Sequence, residues 1–237
     1  MEYLDLSLPT PSENLACDEA LLDECAEAQG QEVLRFWASR EFFVVLGYSS
    51  RIQSEVNLSC DSGIPVLRRC SGGGTVLQGP GCLNYALILK ISEGGAFSSI
   101  TQTNAVIMTK IRNALQPLVR GTMEIQGTSD LTVNGAKFCG NAQRRKKGFL
   151  LFHGVFLLQM NLDLIEKHLP VPAKQPRYRQ NRAHRDFLVN LELPAATIKQ
   201  ALRRQWNAHE ERRAIPRARV ERLVKNQYAT EEWILKF

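Results

Sequence analysis

Between residues 68 and 85 the chain reads Arg-Arg-Cys-Ser-Gly-Gly-Gly-Thr-Val-Leu-Gln-Gly-Pro-Gly-Cys-Leu-Asn-Tyr, two glycine-rich turns separated by a short apolar segment. Three successive glycines strip every Cβ from one stretch of backbone. Its N–H groups can therefore approach an anion while Arg68 or Arg69 supplies charge and a bidentate fork. The plainer reading is a hairpin loop whose glycines serve tight turns. Neither common phosphate-loop pattern is matched, because no Lys followed by Ser or Thr closes the triplet and no acidic residue stands at the ribose-binding spacing.

The flanking segments set the architecture. A helix is expected over residues 12 to 28, with Ser12 as N-cap, followed by strands near 32–37, 42–47, 64–69, 73–78 and 82–91. A helix near 99–119 is distorted late by Pro117. Strands follow at Met123–Gln126, Leu131–Val133, Lys137–Arg144 and Gly148–Gln159, with Asn134-Gly135 as a two-residue hairpin turn. A short helix over Asn161–Leu169 precedes a long loop, Pro170–Asn181, and helices near 195–208 and 216–227 complete the chain. Strands flanked by segregated helices predict an α+β fold.

Composition bounds the rest. With 237 residues, 44% of them apolar, the chain can build a real core, and no stretch is long and apolar enough to span a membrane. The N-terminus lacks the basic start and apolar run of a signal peptide, so a cytoplasmic location is expected. Six cysteines, at 17, 25, 60, 70, 82 and 139, show no zinc spacing and read as reduced thiols. Residues 1–120 carry 9 Lys/Arg against 13 Asp/Glu, and residues 121–237 carry 21 against 11. Nucleic acid is the obvious partner for such a basic half, yet no nucleic-acid motif accompanies it. The run Arg144-Arg145-Lys146-Lys147 reads as a solvated turn or as a docking surface for an acidic protein.

The glycine segment resembles the signature of the lipoate–protein ligases, Arg-Arg-x-Ser-Gly-Gly-Gly-x-Val. Residues 130 to 143 are similar to that family's second motif, and Lys137 falls on its essential lysine. His153-Gly154 resembles its His-Gly strand, and Phe36-Trp37 with Val45-Leu46-Gly47 resembles the strand pair that walls the acyl pocket. The matches cover roughly residues 30 to 165. The resemblance implies mixed, mainly antiparallel sheets flanked by helices, in a single catalytic domain over residues 1–237 with a helical region from about 190. Tyr228 to Trp233 resembles the junction after which longer members carry an accessory domain, absent here or supplied by a separate chain.

The implied activity is an ATP-dependent ligase that uses Mg²⁺ to adenylate lipoate or octanoate. It then transfers the acyl group to a lysine of a lipoyl-type carrier, such as a 2-oxoacid dehydrogenase E2 or glycine-cleavage H protein. Adenylation brings two anions together, so the site needs cations and N–H groups. By resemblance Arg69, Gly74, Thr75, Val76 and Leu77 hold the nucleotide, and Lys137 bridges carboxylate and α-phosphate. Trp37, Tyr48, Arg69, Ser71, Gly72, Gly73, Lys137 and His153 form the acyl site. Asp130 holds Mg²⁺, although Ser129 stands where the family has Asn.

An alternative is octanoyl transfer without ATP. Relatives that take octanoyl from acyl carrier protein use a cysteine nucleophile. Its two known places are occupied here by Pro170-Val171-Pro172 and Gly127-Thr128-Ser129. Cys139, two residues from Lys137, would share its face on a pleated strand, and the ammonium would lower the thiol's pKa. A non-catalytic acyl- or nucleotide-binding protein is the remaining alternative.

Overall fold

The computed structural model describes residues 1–59 and 63–237, and Cys60 lies outside the described residues. Strand β1 (Glu2–Asp5) runs parallel to β2 (Val33–Trp37), with α1 (Pro11–Ala28) between them. Thr10, not Ser12, caps α1: its hydroxyl accepts the Glu13 N–H at 3.2 Å, and the Glu13 carboxylate accepts the Thr10 N–H at 2.8 Å. Pro11 occupies the first turn, where its missing N–H costs nothing.

The chain continues through β3 (Phe43–Leu46), α2 (Ile52–Glu55), β4 (Val66–Arg68), β5 (Val76–Gln78) and β6 (Cys82–Lys90). Helix α3 (Ile100–Leu115) ends in a 3₁₀ turn, Gln116–Leu118, built around Pro117. Then come β7 (Met123–Gln126), β8 (Asp130–Val133), β9 (Ala136–Lys146) and β10 (Phe149–Leu157). The final third holds α4 (Leu162–His168), α5 (His184–Phe187), α6 (Ala195–Gln205), β11 (Glu210–Glu211), α7 (Arg217–Leu223) and α8 (Glu231–Ile234).

Eight strands form the main sheet in the order β11-β1-β2-β6-β10-β9-β8-β7, and β4-β3-β5 form a smaller one. Pairing is mainly antiparallel, β1 being parallel to both of its neighbours. The fold is the expected α+β arrangement. Strand β10 shows how the sheet is buried on both sides. Leu150, Phe152 and Phe156 pack with Ile107, Met108 and Ile111 of α3 and with Ile198 and Leu202 of α6. Phe149 and Leu151 pack against Leu15, Leu21 and Leu22 of α1. Val155 and Leu157 join Val44, Leu46 and Leu77 of the small sheet and Ile165 of α4. Each such side chain contributes about 1.5–3 kcal/mol of burial.

The basic run is not a solvated turn. Alternation along β9 sends Arg145 to Phe97 O (2.5 Å) and Thr103 Oγ1 (3.2 Å) at the start of α3, and Lys146 to Asp23 of α1 at 2.6 Å. Arg144 donates to Cys70 O at 3.2 Å. The turn itself is Lys147-Gly148, both at positive φ. No helix among the described residues is long and apolar enough to cross a membrane.

Candidate active site

Arg68 is fully buried and donates to the carbonyls of Gly47, Tyr48, Ser50, Trp233 and Ile234, tying the C-terminal helix to the small sheet. Arg69 folds back on its own loop. It donates to Ser71 Oγ (3.1 Å), Gly72 O (2.6 Å) and Gly74 O (2.9 Å), and burial lowers its pKa to about 10. Gly73 takes φ +90°, and its carbonyl sits where a Cβ on Gly47 would be, 1.9 Å away, so both glycines are required by the crossing. The two arginines thus brace the glycine loop from within.

Beneath the loop lies a polar chain. Ser71 Oγ stands 2.6 Å from His153 Nε2, and His153 Nδ1 stands 3.7 Å from Asp18 Oδ2. Asp18 also receives Arg35 Nη1 at 2.5 Å and Trp37 Nε1 at 3.3 Å. Burial alone would raise the Asp18 carboxyl, but Arg35 and His153 hold it below its ordinary value. The order resembles a serine nucleophile with base and orienting acid. Ser71, however, is 1% exposed and its oxygen already accepts from Arg69, so the chain acts as a strut under the loop.

Lys137 lies on the second strand of the Asn134-Gly135 hairpin, whose turn residues have φ +51° and +79°. Its Nζ is 2.7 Å from Asp130 Oδ1, and Asp130 Oδ2 accepts the Tyr178 hydroxyl at 2.7 Å. The ammonium curls back over Gly140, where a Cβ would sit 3.0 Å from Nζ. The register between β8 and β9 pairs Thr132 with Lys137 but Leu131 with Cys139, a bulge at Phe138. Cross-strand partners share a face, and Leu131 and Thr132 alternate, so the bulge puts Cys139 and Lys137 on opposite faces. The expected common face is corrected on this point. Cys139 Sγ lies in the core, 3.5 Å from Asn141 Oδ1, and burial pushes its thiol up.

A cleft of about 90 Å³ opens beside Lys137. Its apolar wall includes Val76, Leu77, Val155, Leu157, Ile165 and Phe187, and its polar members are Thr75, Lys137, Arg179 and His184. The segment 170–181, expected as a loop, forms together with α5 a strap over it. Arg182 holds the strap together, donating to Arg179 O (3.1 Å), Tyr178 O (2.9 Å) and Gly135 O (3.2 Å). Tyr178 rests near Gly127, and Val189 N–H donates to Lys137 O at 2.9 Å.

Of the expected residues, Thr75, Val76, Leu77, Lys137 and Cys139 line the cleft, Cys139 with its sulfur turned into the core. Arg69, Ser71, Gly72, Gly73, Gly74 and His153 cluster at the glycine loop. Trp37 is packed in the core beside Asp18, and Tyr48 meets Trp233 in a tilted contact and Phe237 edge-on, both away from the cleft lining. Asp18, Glu55, Tyr178, Arg179 and His184 were not legible as site residues. Their sequence signal was at most an arginine-rich loop and an acidic helix.

The nucleotide cradle expected at residues 74–77 does not fit the side chains present. The Glu55 carboxylate accepts both the N–H and the hydroxyl of Thr75, placing an anion where a polyphosphate would need donors. Both Asp130 oxygens are engaged, by Lys137 and by the Tyr178 hydroxyl. ATP and Mg²⁺ therefore enter no step below.

The chain belongs to the lipoyl protein ligase A/B catalytic domain family, whose model matches residues 10–218. It is 29% identical over 266 residues to octanoyltransferase LipM of Carboxydothermus hydrogenoformans, covering 99% of this chain and 98% of that one. The LipM of Brevibacillus brevis is 26% identical over 271 residues, with 99% and 98% covered. Among solved structures, the bipartite lipoate protein ligase of Thermoplasma acidophilum superposes with a TM-score of 0.81 at 22% identity, covering 99% and 95%. A lipoate-protein ligase A bound with ATP gives 0.79 at 24% identity, covering 99% of both chains. The lipoyl-ligase fold is shown. The expectation of an ATP-dependent ligase is overturned by the octanoyltransferase relatives, which match from end to end.

Proposed function

We propose that this protein is an acyltransferase that passes an octanoyl group from a thioester donor to the ε-amine of a lysine on a lipoyl-type carrier domain. The observation that carries this reading is the match to octanoyltransferases over 99% of the chain. The cleft supports it, since it joins an apolar slot to an ammonium and has no fitting nucleotide cradle. The carrier class rests on the family and on the solved bipartite ligase, whose structural study includes its E2 lipoyl domain. The five described cysteines are free, which supports work in the reducing cytoplasm.

A thioester is already activated. The acceptor nitrogen forms its bond to the acyl carbonyl carbon, and the C=O electrons move onto oxygen. The oxyanion then collapses, the C–S bond breaks, and sulfur leaves with the proton lost by nitrogen. Lys137 stabilises that oxygen, and Asp130, held by Tyr178, keeps the ammonium oriented over Gly140. Cys139 takes no part in this route, because its sulfur lies on the other face of β9. Incubating the protein with octanoyl–acyl-carrier thioester and a lipoyl domain should add one octanoyl group to the domain, read by mass spectrometry. An unmodified domain beside intact donor would contradict the proposal.

A further inference from the structure

Two arginines of the strap use their donors differently. Arg182 spends Nε, Nη1 and Nη2 on backbone carbonyls. Arg179, which lines the cleft with Lys137, spends Nε on Arg182 O at 3.1 Å, while its Nη2 is enclosed with no hydrogen-bond partner. The residue is 4% exposed and makes no ion pair among the described residues. Its guanidinium lies over the Phe187 ring at 4.6 Å, which steadies the plane without supplying an anion. An enclosed charge with a donor to spare is costly unless something completes it.

The backbone is arranged to hold Arg179 there. Gln180 and Asn181 both take positive φ, at 53° and 57°, reversing the chain directly after it. The side chain of Gln175 donates to Asn181 Oδ1 at 2.6 Å and closes the turn. Arg182 and Phe187 then flank the guanidinium. The nearby Glu166 carboxylate is engaged elsewhere, accepting the Arg185 N–H at 3.2 Å.

We propose that Arg179 is a second substrate-facing cation of the cleft, and that with Lys137 it grips the negatively charged oxygen at the head of a medium-chain acyl group. That oxygen is the oxyanion formed as the thioester is attacked, and a free carboxylate mimics it. The cleft's 90 Å³ is well below the ~300 Å³ of a typical small-ligand pocket, so the strap shifts when the chain enters, carrying Arg179 with it. The inference rests on the cleft being the acyl site.

The test is calorimetric titration of the full-length protein with octanoate and, separately, with octanamide, which keeps the chain and removes the charge. Wild type should bind octanoate at least tenfold more tightly. Arg179→Gln should lose that preference while octanamide affinity stays within twofold, and Arg179→Lys should recover part of it. If Arg179→Gln keeps the preference, or weakens both ligands equally with an unchanged thermal midpoint, Arg179 does not contact the head group. If neither ligand binds wild type, the acyl-site reading itself fails, and the two failures are told apart.

Discussion

The two sides of the site carry similar chemistry and use it in opposite ways: the braced glycine loop stands outside the cleft lining, whereas Lys137 and Arg179 form part of it. On the glycine-loop side, Arg68 and Arg69 direct their donors to carbonyls of their own chain, so a motif that looks like an anion cradle is an internal brace. On the wall formed by β9 and the strap, Lys137 is partly exposed and Arg179 retains a donor without an acceptor. Charge becomes available for chemistry only where the backbone has not already consumed it. Substitutions on the loop side should therefore cost stability, and those on the cleft side should cost turnover.

The largest effect is expected from Arg68→Met, which strips a buried cation from five carbonyls. It should lower unfolding stability by several kcal/mol, since a buried carbonyl left without its donor costs about 1–3 kcal/mol. Urea denaturation reads the loss, and transfer per folded molecule should stay within threefold. Intact stability with lost transfer would erase the contrast between the two sides.

Lys137→Ala should give the reverse pattern. If Lys137 acts as proposed, losing its ammonium should reduce transfer by 10² to 10³, about 3–4 kcal/mol, while the urea midpoint moves little because the side chain is 22% exposed. Activity within threefold of wild type would remove Lys137 from the reaction.

Cys139→Ser sharpens the comparison from the core side. A serine hydroxyl can keep the contact to Asn141, so a stability cost of about 1 kcal/mol and transfer within threefold are expected. Complete loss of transfer, with an octanoyl thioester trapped on wild type, would return Cys139 to the mechanism.

The smallest effect concerns His184 on the strap. Burial lowers its imidazole below the ordinary 6.5, so below pH 6.5 the unfolded chain binds more protons than the folded one. Stability should fall as pH falls from 6.5 toward the lower folded value. Urea midpoints at pH 7.5 and 5.5 should differ less in His184→Gln than in wild type, and equal slopes would assign the titration elsewhere.

Much of this was legible beforehand where local chemistry decides the outcome. Asn134-Gly135 demands positive φ at two successive residues and marks its hairpin unambiguously, and Pro117 ends its helix as a missing donor must. Strand β1 was not seen because Glu2-Tyr3-Leu4-Asp5 is short and gains its identity only by lying beside β2. The bulge at Phe138 was equally invisible, since no residue type announces it, and it reversed the face assigned to Cys139. Neither the self-bracing of Arg68 and Arg69 nor the spare donor of Arg179 is a property of sequence. Both depend on which carbonyls the fold brings within reach.

One paired assay tests the central claim most directly: octanoyl transfer to a lipoyl domain from a carrier-bound octanoyl thioester without nucleotide, run beside free octanoate with ATP and Mg²⁺. A site whose cations face the acyl oxygen and whose glycine loop is internally braced should use the thioester and leave the free acid untouched. Modification that occurs only with free octanoate and ATP would contradict it.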